Sequence, residues 1–201
     1  MGLTIYYRGT LRNPSVAEDL ITDAIDICHE IGWRYHPIHR SNIMPVDGLF
    51  ITPEGSESIE LTFLCNGKLY NAVHFLFTRH PENEAVDEEK YKWISTKTHY
   101  AGSDTHMAII KFLRYVSLKY FSEFELKDES NYWETNDAES CRYHFGESQE
   151  AIEMRNKAML MMGYDLNEEE TEEADDNDEL SADDEMDEIL LRRGGLGIIM
   201  N

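Results

Sequence analysis

Positive charge is scarce in this chain. Its 201 residues hold 18 Lys and Arg against 40 Asp and Glu, a formal net charge of -22. A grip on phosphate backbones needs clustered Lys and Arg, as does adsorption to an anionic membrane surface. Neither nucleic acid nor membrane is therefore expected as a partner. Cysteine is scarce and odd in number: Cys28, Cys65 and Cys141 show no C-x-x-C spacing. That argues against a disulfide framework or a cysteine zinc site, and makes a reducing cytoplasm the expected location. No stretch approaches the roughly 18 apolar residues of a membrane helix. The N-terminal run Gly2 to Arg8 lacks the basic start and long apolar core of a secretory leader, and Tyr6 stands where a myristoylation signal needs Ser or Thr. Catalytic signatures are missing too: there is no G-x-S-x-G, G-x-x-x-x-G-K-[ST], H-E-x-x-H or G-x-G-x-x-G. The glycines Gly194, Gly195 and Gly197 follow a helical pattern instead of opening one, so they are no phosphate cradle.

What is present is enough apolar material for one core, with 41% hydrophobic and 11% aromatic residues. The acidity is concentrated. Residues 165–190 carry 15 acids and no Lys or Arg, whereas residues 1–164 carry 25 acids and 16 bases, a net of -9. So acidic a run buries too little apolar surface to offset the entropy of ordering it. The expected organisation is a single domain over 1–164 and an acidic, largely flexible tail over 165–201. Within the tail, Ser181 precedes Asp183, Asp184 and Glu185, then Met186, Ile189, Leu190 and Leu191, then Arg192, Arg193 and Gly194. An N-cap, acids in the first turn, bases in the last and a glycine stop predict a short amphipathic helix at 182–193. The apolar end, Leu196 to Met200, suits docking on the body or on a partner.

Along the body, Leu3 to Leu11 reads as a strand broken by Asn13-Pro14. Ser15 to Glu18 has the form of a capping box, and Val16, Leu20, Ala24, Ile27 and Ile31 recur at helical spacing, so a helix is predicted over 16–31. Strands follow at Arg34–His39, interrupted by Pro37, and at Gly48–Thr52. Ser58–Cys65 and Lys68–Phe77 flank Asn66-Gly67, a strong hairpin signal, whose two-residue turn would pair Phe63 with Tyr70. Pro81 to Glu89 is a charged loop, and Tyr91–Tyr100 is another alternating strand. A largely buried helix is predicted from Ser103 to Phe121, a short strand at Phe124–Leu126, a helical turn capped by Asn136 or Asp137 and stopped by Gly146, and a third helix from Ser148 to about Met162. Strands that follow one another without crossover helices make a mostly antiparallel sheet. The fold class is thus α+β, two main helices covering one face of that sheet in β-α-β-meander-α order, plus a C-terminal helix and the acidic tail. In its order of elements alone the chain resembles the TATA-binding-protein-like and helix-grip architectures, a likeness that carries no function.

Four histidines form the candidate metal set. His36 and His39 flank Pro37-Ile38, His99 ends a strand, and His106 lies in the first turn of a helix beside Asp104. Imidazole and carboxylate are what Zn²⁺, Fe²⁺ or Mn²⁺ take, provided three or more converge; the commoner role of such residues is an ordinary surface or hydrogen-bonded histidine. Glu57 and Glu60 are a weaker acid/base pair, and 175–184 is a faint calcium-loop likeness without the required glycine. The methionines Met154, Met159, Met161 and Met162, and the aromatics Tyr6, Phe63, Tyr70, Phe75, Tyr91 and Trp93, suit core packing first and an adaptable or ligand-binding surface second. No catalytic residue and no cofactor is expected. The pattern points to a non-enzymatic cytoplasmic binding or regulatory module whose tail engages a basic partner or masks a surface. The alternatives are a small metal-dependent enzyme using His36, His39, His99 and His106, and a small-molecule binder with a pocket between sheet and helices.

Overall fold

Thr4–Leu11 (β1), rich in β-formers, runs as a strand into Asn13, whose side chain accepts a hydrogen bond from the Ser15 amide and starts a 3₁₀ turn over Pro14–Val16. The expected Ser15 cap is not formed: Asn13 caps the 3₁₀ turn, and the α-helix that follows has Val16 at its N-cap position and no side-chain cap. The helix Ala17–Glu30 (α1) follows, burying Leu20, Ala24, Ile27 and Cys28 along one face. In this computed structural model, residues 3–42, 44–73, 93–147, 149–162 and 180–194 are described. The predicted loop at Pro81–Glu89, the far half of the hairpin beyond residue 73, the start of the Tyr91 strand, the run 163–179 and the apolar end at 196–200 lie outside them.

Among the described residues, six strands form two antiparallel sheets of three. β1 is the centre of one, between Ile94–Lys97 (β5) and Phe121–Asp128 (β6). The other is Arg34–Ile38 (β2), Asp47–Thr52 (β3) and Ile59–Phe63 (β4), in that order. The class is α+β, as the strand order implied, but the expected single sheet is split. The two sheets are tied by short backbone bridges: Glu57 N donates to Lys97 O, Leu69 N to Gly9 O and Leu11 N to Gly67 O. Between them the Tyr7 hydroxyl donates to Glu60 O and accepts from Glu60 N. Pro37 on β2 pairs with Leu49 on β3, and β2 is an edge strand, the place in a sheet where a proline is tolerated.

The hairpin register departs from expectation by one residue. Phe63 lies opposite Leu69, and Leu64 N donates to Lys68 O, so the connection is the three residues Cys65, Asn66 and Gly67. Gly67 takes φ +79°, the left-handed position that such a connection reserves for glycine. Register is normally read from in/out alternation. Here all five residues of β4 are buried, so alternation gives no preference.

Gly102–Tyr120 (α2) is the central helix, with every residue from His106 to Ser117 buried. Tyr132–Thr135 (α3), Ala138–Phe145 (α4) and Gln149–Met161 (α5) follow β6. α4 begins on the Asp137 side chain, which accepts from Ser140 N, and stops at Gly146 in the left-handed region. Ala182–Arg192 (α6) is the C-terminal helix. Among the described residues, no helix is long and apolar enough to cross a membrane.

Candidate functional site

Among the described residues, the seat of α6 on α2 is the most extensive contact between two helices. Ser181 caps α6: its Oγ accepts from Asp184 N at 3.2 Å and donates to Asp184 Oδ2 at 2.9 Å. Asp183, Asp184 and Glu185 occupy the first turn and Arg192 the last, matching the helix dipole at both ends. Asp183, Met186, Ile189 and Leu190 share one face by helical spacing, and that face is buried. Met186, Ile189 and Leu190 have no exposed surface and belong to the same core as Ile27, Met107 and Phe112. α2 meets α6 more extensively than it meets any other described helix.

Charge defines both ends of this seat. Lys111 projects from the middle of α2, and its Nζ lies 2.6 Å from Asp183 Oδ1 and 2.6 Å from Asp187 Oδ2. The lysine is only 5% exposed and Asp183 is buried beside it, while Asp187 stands partly exposed at the edge of the cluster. Burial pushes the Asp183 carboxyl above the usual range, and Lys111 works against that shift. At the other end Arg193 Nη1 donates to Asp23 Oδ1 at 2.6 Å, while its Nη2 pairs with Glu30, and Arg192 Nη2 lies 3.4 Å from Glu30. Asp23 Oδ2 also accepts from Tyr115 at 2.8 Å, Lys119 at 2.9 Å and Tyr120 at 3.0 Å. Burial would raise the Asp23 carboxyl, but these donors outweigh it and hold it below its ordinary value. Lys111 precedes Tyr115, Lys119 and Tyr120 on α2, just as Asp183 precedes Arg193, so α6 runs in the same sense as α2. The seat thus has a cation at one end, carboxylates at the other and apolar surface between, which sets a helix's direction as well as its position.

The histidines separate. His36 and His39 are exposed on and just beyond the edge strand β2, whereas His99 follows β5 of the other sheet and His106 lies on α2. His99 is exposed, its ring 4.9 Å from that of Tyr100. His106 is fully buried and both its nitrogens are engaged. Nδ1 is 2.7 Å from Thr98 Oγ1, and Nε2 is 3.0 Å from both Asp128 Oδ1 and Ser130 Oγ. Asp128 further accepts from the Ser130 amide and hydroxyl and from Trp133 N. Burial would raise the Asp128 carboxyl; the bonds from His106 and Ser130 prevail and lower it. This network joins β6, α2 and the turn after β5, and it satisfies a buried imidazole and a buried carboxylate together. Among the described residues, no three His, Cys, Asp or Glu side chains are grouped to hold a metal ion.

Glu57 and Glu60 also part company. Glu57 is exposed and reaches β5, its Oε2 accepting from Lys97 N at 3.2 Å. Glu60 is buried, accepts from Ala72 N at 3.1 Å and has its carboxyl raised by burial. On α5, Met154, Met161 and Met162 at its end are exposed. The calcium-like run lies outside the described residues up to 179, and its Asp183 is taken by Lys111.

Sequence reasoning passed over Lys111, Asp23 and Arg114. A signal for two of them exists. Lys111 and Arg114 interrupt the otherwise apolar stretch Met107–Val116, and a cation there requires a partner brought from elsewhere. Arg114 finds Asn136 Oδ1 and Trp133 O, whereas among the described residues the partners of Lys111 are Asp183 and Asp187 of α6. Asp23 gives no such signal, since it sits among the other acids of the exposed α1 face. No protein-family model, no curated protein and no solved structure matches this chain.

Proposed function

We propose that this chain is a non-enzymatic binding or regulatory module, working in the cytoplasm, in which the helix of the acidic segment masks a binding face on α2. One observation supports the reading above all. A segment whose composition favours water nevertheless places Met186, Ile189 and Leu190 in the core and Asp183 and Asp187 on a buried lysine. Removing α6 would lay bare an apolar strip with Lys111 at one end and Asp23 and Glu30 at the other, and a strip of that kind suits a protein-binding surface. The fixed direction and the paired charges at both ends are the features of a recognition contact, since charge complementarity sets register and rejects wrong partners.

The experiment compares the full chain with its Met186→Asp/Leu190→Asp variant as baits for lysate proteins, after near-ultraviolet circular dichroism has shown that the variant's body is folded. Proteins retained by the variant and not by the parent chain are the expected result. An identical retained set from both baits removes masking as the role of α6.

A further inference from the structure

The chemistry of the masked face specifies what else it would hold. It rests on the masking reading but makes a separate claim, about the partner. The α6 helix meets it with a fixed set of groups: two carboxylates one turn apart, Asp183 and Asp187, both on Lys111; an apolar row of Met186, Ile189 and Leu190; and an arginine, Arg193, on Asp23 and Glu30. A basic helix would put its cations against Lys111. An apolar helix without acids would leave Lys111 buried and unpaired, which is costly. A helix in the opposite direction would bring its arginine to Lys111 and its carboxylates to Asp23 and Glu30.

We propose that the α2 face bounded by Lys111 and by Asp23 and Glu30 of α1 is a recognition site for an acidic amphipathic helix of a partner protein, with α6 as its exchangeable internal ligand. The partner's helix carries Asp or Glu at two positions four apart. Apolar residues stand three, six and seven positions after the first acid, and an arginine ten positions after it. Among helices with these features the site accepts only the orientation parallel to α2. Held on the same chain, α6 competes at an effective concentration on the order of mM, so only a partner that binds more strongly, or arrives when α6 has come away, occupies the site.

The test uses a fluorescein-labelled synthetic peptide of residues 180–194 as the probe, read by fluorescence anisotropy. The chains are the intact protein and its Leu190→Asp variant, with Arg193→Glu as a second variant that loosens α6 without touching the core. The expected result is saturable binding to a variant at least tenfold tighter than to the intact chain. A probe with Asp183→Asn and Asp187→Asn should bind at least tenfold more weakly. Adding Lys111→Glu to the variant should switch its preference to a probe with Asp183→Lys and Asp187→Lys. The proposal is overturned if folded variants bind no probe, or bind the acidic and neutralised probes equally. A dimer of the intact chain on sedimentation, abolished by Lys111→Glu, would also overturn it and make a second copy the occupant. Failure of the probe with altered lysate capture refutes only this partner chemistry. Probe binding with unaltered capture refutes only the masking role.

Discussion

Replacing Lys111 by Met tests the charge cluster while keeping the length of the side chain. Met fills the volume of the lysine stem, so packing is largely kept and the lost quantity is the ammonium group. Its removal leaves the Asp183 and Asp187 carboxylates facing one site with side chains only 11% and 27% exposed. Breaking a buried pair in this way costs about 3–5 kcal/mol. The partial exposure of Asp187 screens it, so the expected loss is about 2–4 kcal/mol, or roughly 30- to 1000-fold in an equilibrium constant. The loss should fall on the seating of α6 first, because that helix supplies both carboxylates. Native-state hydrogen exchange of the α6 amides and urea titration of the whole chain separate local from global effects. The triple variant Lys111→Met/Asp183→Asn/Asp187→Asn removes the stranded charges and should recover most of the loss. Acid should recover it as well. Burial already raises Asp183 in the intact chain, and the Lys111→Met change removes the cation that works against that shift. A carboxyl raised in the folded state carries its penalty above the folded value and sheds it as the pH falls towards the unfolded one, about 3.9. The Lys111→Met deficit should therefore shrink between neutral pH and about pH 4. A deficit below about 1 kcal/mol, or one that the triple variant shares in full, would refute the reasoning.

Three further expectations follow from single sites. Asp23 and Asp128 are both held below their ordinary values, so the stability they contribute is complete above their unfolded value of about 3.9 and is lost as the pH falls through the lower folded values; Asp23→Asn should cost about 2 kcal/mol at neutral pH and flatten the acid limb of a melting-temperature profile, and an unchanged limb contradicts the role given to Asp23. A Cβ on Gly48 would come within 2.1 Å of Leu61 O and 2.6 Å of Thr62 Cα, so Gly48→Ala must part β3 from β4 at a cost of about 3 kcal/mol; a melting temperature equal to the parent's would mean that the strands do not approach as described. Cys28 and Cys141 are buried and pushed up to about 12, chiefly by burial, whereas Cys65 is exposed; a chromogenic disulfide reagent should therefore titrate one thiol rapidly in the native chain and all three in denaturant, and rapid reaction of two or more is the contrary outcome.

Much of the fold is legible where the determining forces are local. The apolar period of α1, the long apolar helix α2, the Asp137 cap with its Gly146 stop, and the charge gradient of the segment 181–194 all lie within one or two helical turns of the residues that cause them. Legibility ends where a choice depends on residues far apart. The hairpin's three-residue connection is not legible, because β4 is buried on both faces and the usual alternation is silent. The split into two sheets depends on where β1 finds neighbours, with β5 about ninety positions along the chain and β6 beyond α2.

The histidines make the same point for the candidate site. His106 enters the sequence reading only as one of four candidate metal ligands; its surroundings come from Thr98, Asp128 and Ser130, and no spacing in the chain announces that set. What the sequence by itself determined was the class of the elements, the concentration of acid in one segment and the amphipathic character of the helix within it. Only the tertiary structure decided that this helix is seated on α2, with Lys111 between Asp183 and Asp187 and Arg193 on Asp23 and Glu30. The physical reason is that helix and cap depend on neighbours along the chain, whereas a buried charge is settled by whichever distant partner reaches it across the fold.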